Sequence, residues 1–460
     1  MTTVPPIERA RLRTLLDDER ATFAERHPRS LAAYRGAQRS LFGGVPMTWM
    51  NKAAGGFPLY AATARGAHVT DIDGHEYVDF ALGDTGAMAG HSPAPTVAAV
   101  AHRISDLGGI ATMMPTTDAA WVGTELTRRF GLPQWSFALT ATDANRWAIR
   151  LARAVTGRPK ILVYSYCYHG TVDEVLVKVD EHGRQVIREG NVGAPVDPTT
   201  TTRVVEYNDL AALERELSHG DVGCVLMEPA LTNIGIVLPE PGYLDSVREL
   251  TRRSGSLLIN DETHTLSAGP GGATQAWSLD PDIVTLGKAV GGGIPCGAYG
   301  LSAALAERVE ANTELDLVDV GGVGGTLAGN PVSVAAMRAT LAEVLTDAAW
   351  GPMTALANRW GDAVEGVIAQ HRLPWTVSRL GARVEYRFCA PAPRTGGESA
   401  AANDVELEDY LHTYLANRGV LLTPFHNMAL MCPTTSRDDV ELHSNLFGDA
   451  VEELVGSGGH

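Results

Sequence analysis

Pro281-Asp282-Ile283-Val284-Thr285-Leu286-Gly287-Lys288-Ala289-Val290-Gly291-Gly292-Gly293 is the stretch from which the fold can be read. Ile283 to Leu286 is a short apolar run of the kind that forms a buried strand. A tight turn with one lysine follows, and then three glycines. Lysine is rarely buried without a partner, so a lysine at a buried strand end is a candidate nucleophile. The glycines let a large flat ligand approach the backbone closely. Taken alone, the stretch fits a surface lysine in a glycine loop equally well.

Working outward, similar runs recur. Lys160–Tyr164, Arg203–Tyr207, Val222–Met227, Ser256–Asn260 and Cys296–Leu301 all read as strands. Helical patterns at 209–218 and 242–254 lie between them. This alternation predicts an α/β fold built on a mostly parallel sheet covered on both faces. Before it come charged, amphipathic helical segments over 6–38 and a hairpin at 67–80 turning on Asp73-Gly74. Beyond 330 the pattern becomes a smaller α+β lobe, with helices at 331–346, 347–370 and 405–418, a strand-like stretch at 377–388, a loop at 391–403 and a short strand at 419–422. The expected organisation is an N-terminal helical segment (1–70) joined to the small domain, a large α/β domain (71–330) and a C-terminal small domain (331–460). The tail Gly456–His460 reads as disordered.

In parallel sheets, ligands bind beyond the carboxyl ends of the strands. Glu228, Asp261 and Lys288 all stand there. An amine nucleophile with a carboxylate nearby suits pyridoxal phosphate (PLP): the lysine forms a Schiff base with the aldehyde, and the carboxylate keeps the pyridine nitrogen protonated. Tyr168 would offer an aromatic face to the ring. The segment 137–145 runs into a helix with Ala144, Trp147, Ala148, Leu151 and Ala152 on one face. Thr140, Thr142 and Asp143 can cap its start, and its free N–H groups can hold a phosphate.

These residues resemble the class III aminotransferases of PLP fold type I, on the side of the family that includes the glutamate-1-semialdehyde aminomutases. The resemblance covers about 38–455. It rests on Asp261-Glu262-Thr263, on Thr285-Leu286-Gly287-Lys288 with the following Gly-Gly-Gly-Ile-Pro, and on Gly325-Thr326-Leu327-Ala328-Gly329-Asn330-Pro331. Cys167-Tyr168-His169-Gly170 and Glu228-Pro229-Ala230-Leu231-Thr232-Asn233 support it. It implies that Lys288 binds PLP and carries protons, that Asp261 holds the pyridine nitrogen, and that Tyr168 and Thr263 face the ring. It further implies that Thr140, Ala141 and Thr142 cradle the phosphate, and that His169 and Glu228 complete the site. Gly325 and Thr326 would reach the phosphate of a neighbouring subunit, which implies a homodimer with shared active sites. Three departures stand out: the phosphate loop reads Leu139-Thr140-Ala141-Thr142-Asp143-Ala144, Met50 occupies the place of the aminomutase's carboxylate-binding arginine, and Thr423–Met428 contains no arginine.

The expected activity is an aminotransferase that moves an amino group from a hydrophobic amine or β-amino acid donor to a keto-acid acceptor, with an aminomutase or another PLP-dependent isomerase or lyase as the alternative. Trp49 and Met50 would line an apolar pocket. Arg383 and Arg387, on one face of a strand, would bind the acceptor carboxylate or else be surface charges. The net charge of −17 argues against nucleic acid and anionic membranes as partners. No run is long enough to span a bilayer and the N-terminus lacks a secretory signal. Five scattered cysteines without zinc spacing point to a reducing cytoplasm and no metal.

Overall fold

The computed structural model describes residues 7–193, 195–318 and 320–456. It divides into two compact units, each built from separate stretches of chain.

The larger unit comprises Pro93–Trp350 and Pro393–Ala401. Its sheet has seven strands: β1 Gln134–Ala138, β2 Lys160–Tyr164, β3 Thr202–Val205, β4 Val222–Met227, β5 Leu257–Asp261, β6 Ile283–Leu286 and β7 Gly297–Leu301. In space they run β1-β7-β6-β5-β4-β2-β3. Only β7 is antiparallel to its neighbours; β6, β5, β4, β2 and β3 pair in parallel. The inner strands β4, β5 and β6 are buried at every position, as continuous apolar runs in a sheet covered on both faces should be. Helix α1, Ala141–Thr156, buries Ala144, Trp147, Ala148, Leu151 and Ala152, the face read from their spacing. A two-stranded ribbon, Val177–Val179 with Gln185–Ile187, is an addition that the sequence pattern did not signal.

The smaller unit comprises Met1–Ser92, Gly351–Ala392 and Ala402–His460. The Asp-Gly hairpin forms as expected, His68–Asp71 against Glu76–Asp79. Ala61–Arg65 flanks it on one side and Val420–Leu421 on the other. A second sheet pairs Thr376–Leu380, Arg383–Arg387 and Met428–Leu430. The N-terminal helices, Arg9–Arg26 and Pro28–Ala37, meet at His27. That imidazole is fully buried. It donates from Nδ1 to the Phe23 carbonyl (2.7 Å) and lies 2.8 Å from the Tyr77 hydroxyl, which donates to Asp71 (2.7 Å). The side chains of His27, Asp71 and His75 are close enough to share an ion, but they are already bonded to one another, directly or through Tyr77.

The unit boundaries differ from those read along the sequence. Residues 71–92 belong to the smaller unit because Glu76–Asp79 pairs with Val420–Leu421, and Leu430 N–H donates to Phe80 (2.9 Å). Residues 331–350 belong to the larger one. Arg129, itself buried, donates to the Leu341 and Leu345 carbonyls (both 2.9 Å), and Thr96 and Thr340 share a hydrogen bond of 2.8 Å. The expected loop at 391–403 contains the helix Gly396–Ala401, which belongs to the larger unit and is anchored there by Gly397 N–H donating to Glu206 (3.2 Å). Of the tail, only Gly456 lies within the described residues.

Candidate active site

Lys288 begins the turn after β6 with φ of 52°, a left-handed conformation that a lysine rarely adopts. Strain of this kind gathers at functional sites. The preceding Gly287 explains how the turn is held: a Cβ there would lie 2.8 Å from the Ala141 Cβ and 3.0 Å from its amide nitrogen. The turn carrying the lysine is therefore pressed directly onto the first residue of α1. Gly297 packs on the other side, where a Cβ would come within 2.6 Å of the Thr140 carbonyl oxygen. Gly170 does the same against Thr142, whose hydroxyl accepts from the Thr171 amide (3.2 Å).

The amino end of α1 is thereby fixed from three directions. Thr140 caps it, its hydroxyl accepting from the Asp143 amide (3.1 Å). The amides of a helix's first turn have no carbonyl of their own helix to bond. With the helix dipole, they could hold an anion between Thr140 and Thr142.

Asp261 closes β5 and pairs in register with Thr285 of β6, three positions before the lysine. It is 2% exposed. One carboxylate oxygen accepts from Asn145 Nδ2 (2.7 Å) and His169 Nδ1 (2.9 Å), and the other from the Thr263 amide (3.0 Å). Asn145 is in turn fixed by the Thr285 hydroxyl, which donates to it at 2.6 Å. Burial opposes charge on Asp261, but the bonds from and charge of His169, with those from Thr263 and Asn145, outweigh it and hold the carboxyl below its ordinary value. Burial likewise opposes charge on His169, while Cys167 and Asp261 raise it well above the usual imidazole value. The pair is a buried aspartate–histidine contact at the end of the sheet.

Tyr168 is half-buried, and its amide donates to Glu228 (3.1 Å). Glu228 also accepts from the Thr232 amide (3.1 Å) and hydroxyl. Burial pushes this carboxyl up despite those bonds and the His169 charge. Glu262 turns away from the site and binds the Ala273 amide (3.0 Å), the Thr274 amide and the Thr265 hydroxyl, pinning the helix Gly272–Ala276.

Two contributors escaped the sequence reading. Asn145 was visible only as a polar position on the buried side of a helix. His264, one residue past Asp261-Glu262-Thr263, places Nε2 at 2.7 Å from Lys288 Nζ.

The remaining expected residues are spread over both units. Gly325 and Thr326 are exposed on the larger unit. Trp49 and Met50 are in the smaller unit, partly exposed, beside a cavity of about 420 Å³ lined also by Pro46, Tyr60 and Leu421. Trp49 stacks edge-on against Phe425, ring centres 5.4 Å apart. Arg383 and Arg387 are not surface charges: every residue of their strand is buried. Arg383 lies 4.0 Å from Glu385, and Arg387 donates to Asn403 (2.6 Å).

The profile of the family described as Aminotransferase class-III matches residues 49–446. The chain belongs to the class III aminotransferase family. A glutamate-1-semialdehyde 2,1-aminomutase from Chloroflexus aggregans is 33% identical to this class III chain over 93% of its length and 98% of the relative's. Among solved structures, a lysine-to-alanine variant of a glutamate-1-semialdehyde-aminomutase from Pseudomonas aeruginosa PAO1, in complex with PMP, is 50% identical with a TM-score of 0.95, covering 97% and 99% of the two chains. An omega-transaminase from Sphaerobacter thermophilus is 29% identical with a TM-score of 0.83, covering 93% and 98%. The fold is PLP fold type I, as the motifs implied.

These relatives correct the expected activity. Transfer from an amine donor to a keto-acid acceptor was expected above internal rearrangement, because Met50 stands where the aminomutase has an arginine. The relatives at 31% to 50% identity carry the aminomutase name, which was the alternative. One replaced side chain in a pocket weighs less than similarity along nearly the whole chain.

Pyridoxal phosphate is the cofactor of this class III chain, and the residues present fit it. A carboxylate kept ionised inside the protein, a strained lysine in the turn after the adjacent strand and a helix start packed against three glycines are what its ring nitrogen, aldehyde and phosphate require.

Proposed function

We propose that the chain is a PLP-dependent aminomutase of the glutamate-1-semialdehyde type, exchanging an amino group and a carbonyl between adjacent carbons of one substrate. The observation that carries this reading is the 50% identity, over 97% of the chain, to the Pseudomonas aeruginosa aminomutase. PLP, when bound, supplies an electron sink that lets a carbon bearing nitrogen release a proton.

The chain's own residues do the rest. Lys288 offers its amine as the nucleophile that tethers the cofactor, and afterwards takes a proton from one substrate carbon and returns it at the other. Asp261 would hold the ring nitrogen protonated, and His169 and Asn145 keep that carboxylate aimed and charged. The α1 start at Thr140, Ala141 and Thr142 would hold the phosphate. Tyr168 and Thr263 would take the two ring faces, and Glu228 orients Tyr168 through its backbone.

We further infer a homodimer in which Gly325 and Thr326 serve the neighbouring subunit's phosphate. Their exposure supports this, as do the exposed apolar side chains of Ile104, Leu107, Ile110, Met113 and Met114 on the same unit. Five free cysteines support a reducing cytoplasm.

The direct test is to give the purified holoenzyme 4-amino-5-oxopentanoate with no keto acid present. Appearance of 5-amino-4-oxopentanoate, abolished in Lys288→Ala, is the expected result. Turnover only when pyruvate or 2-oxoglutarate is added would refute the proposal.

A further inference from the structure

We propose that His264 is a positioning residue for the Lys288 amine, accepting its hydrogen bond at Nε2 and fixing where that amine sits. The two nitrogens are 2.7 Å apart. Lysine ends in a point charge on a flexible four-carbon stem, and the PLP chemistry needs that amine in one place through several proton transfers. The imidazole is well suited to supply a fixed reference. His264 is 6% exposed and directly precedes the short helical turn Thr265–Ala268. The backbone on either side is tied down: Leu266 N–H donates to the Glu262 carbonyl (2.9 Å), and the Glu262 side chain is held by three groups of its own.

The neighbouring carboxylates are engaged. Asp261 is taken up by Asn145, His169 and the Thr263 amide, and Glu262 by Thr265, Ala273 and Thr274. The Lys288 ammonium can donate to His264 only if Nε2 carries a lone pair, so the ring proton sits on Nδ1. An amine held in one place can take a proton at one carbon and return it at a second carbon of the same substrate, a use that rests on the aminomutase reading. The positioning of the lysine itself rests only on PLP attachment.

The test compares His264→Ala with His264→Gln, whose amide oxygen can accept where Nε2 did. The stripped full-length apoenzyme is mixed with free PLP at fixed pH, and Schiff-base formation at Lys288 is followed by absorbance. One lost hydrogen bond predicts a rate about five- to tenfold slower in His264→Ala and recovery to within about threefold in His264→Gln. The holoenzyme is then given substrate deuterated at the carbon that loses its proton. The deuterium carried into product, read by mass spectrometry, should fall in His264→Ala and recover in His264→Gln. An unchanged attachment rate in His264→Ala overturns the proposal, and so does a loss that glutamine does not repair, since that is the signature of a packing role. If the alanine variant does not fold, His264→Phe keeps the volume, removes the acceptor and is read the same way. Failure of the wild type to isomerise its substrate would refute the proposed function while leaving the attachment result to decide the role of His264.

Discussion

Asp261 carries its charge where burial opposes it, and it does so because three donors of its own chain converge on it. A folded-state pKa held below the ordinary value of about 4 adds stability that is present above that value and lost as the pH falls through the lowered one. Asp261→Asn removes the charge that His169 and the other donors hold, and a buried imidazole without its carboxylate gives up its proton, so the apoenzyme should lose about 1–3 kcal/mol in urea unfolding. With PLP bound, kcat should fall on the order of a hundred- to a thousandfold. His443, in the smaller unit, shows the reverse situation. It is fully buried among the rings of Trp360, Phe447 and Phe80, with neither ring nitrogen hydrogen-bonded. Burial, with the nearby His412, lowers its pKa to about 3. Protons then favour the unfolded chain at any pH from about 6.5 downward, costing about 2 kcal/mol by pH 5. His443→Phe should therefore raise the melting temperature more at pH 5 than at pH 7.5, and an equal gain at both would contradict this account. Lys288 and Asp261 were legible because a charged residue ending an apolar run has few ordinary uses. Asn145 and His264 were not, because their partners come from strands and turns remote in sequence.

At the scale of elements, the anion site depends on close packing around the start of α1. Gly297 in β7 isolates this packing, because its own backbone is ordinary strand and a methyl group would meet the Thr140 backbone and not a movable side chain. Gly297→Ala should push the first turn of α1 away from the lysine turn. The expected loss is about 1–3 kcal/mol from overpacking, with PLP affinity lowered at least about tenfold in a cofactor titration of the apoenzyme. Normal affinity would mean that the helix start is not where the phosphate binds. The buried strands and α1 were readable from periodicity alone, since their burial is uniform or one-sided. The 177–187 ribbon was not, since its strands are three residues each and carry no repeating pattern. The unit boundaries were hidden for a related reason. Strand pairing joins 76–79 to 420–421, and a buried arginine binds 341 and 345, and neither link leaves a compositional mark.

For the whole molecule, the residues around Lys288 explain lysine, ring nitrogen and phosphate from a single chain, but they give Thr326 no task. Its exposed Gly-Thr turn was legible as a motif, while the use proposed for it depends on a second chain. In a two-fold dimer the contact is reciprocal, so a shared site makes a sharp prediction. Lys288→Ala and Thr326→Lys are each expected to be nearly inactive as homodimers. Random reassortment makes half of all dimers hybrids. In each hybrid one site combines the defective lysine with the defective threonine, and the other has both native residues. Mixing, unfolding and refolding the two variants in equal amounts should thus restore about a quarter of wild-type activity. If Thr326 acted within its own chain, every site in the hybrid would hold at least one defect and no activity would return. Recovery that scales with the hybrid fraction, separated by a charge tag on one variant, would establish that each PLP is held by two subunits.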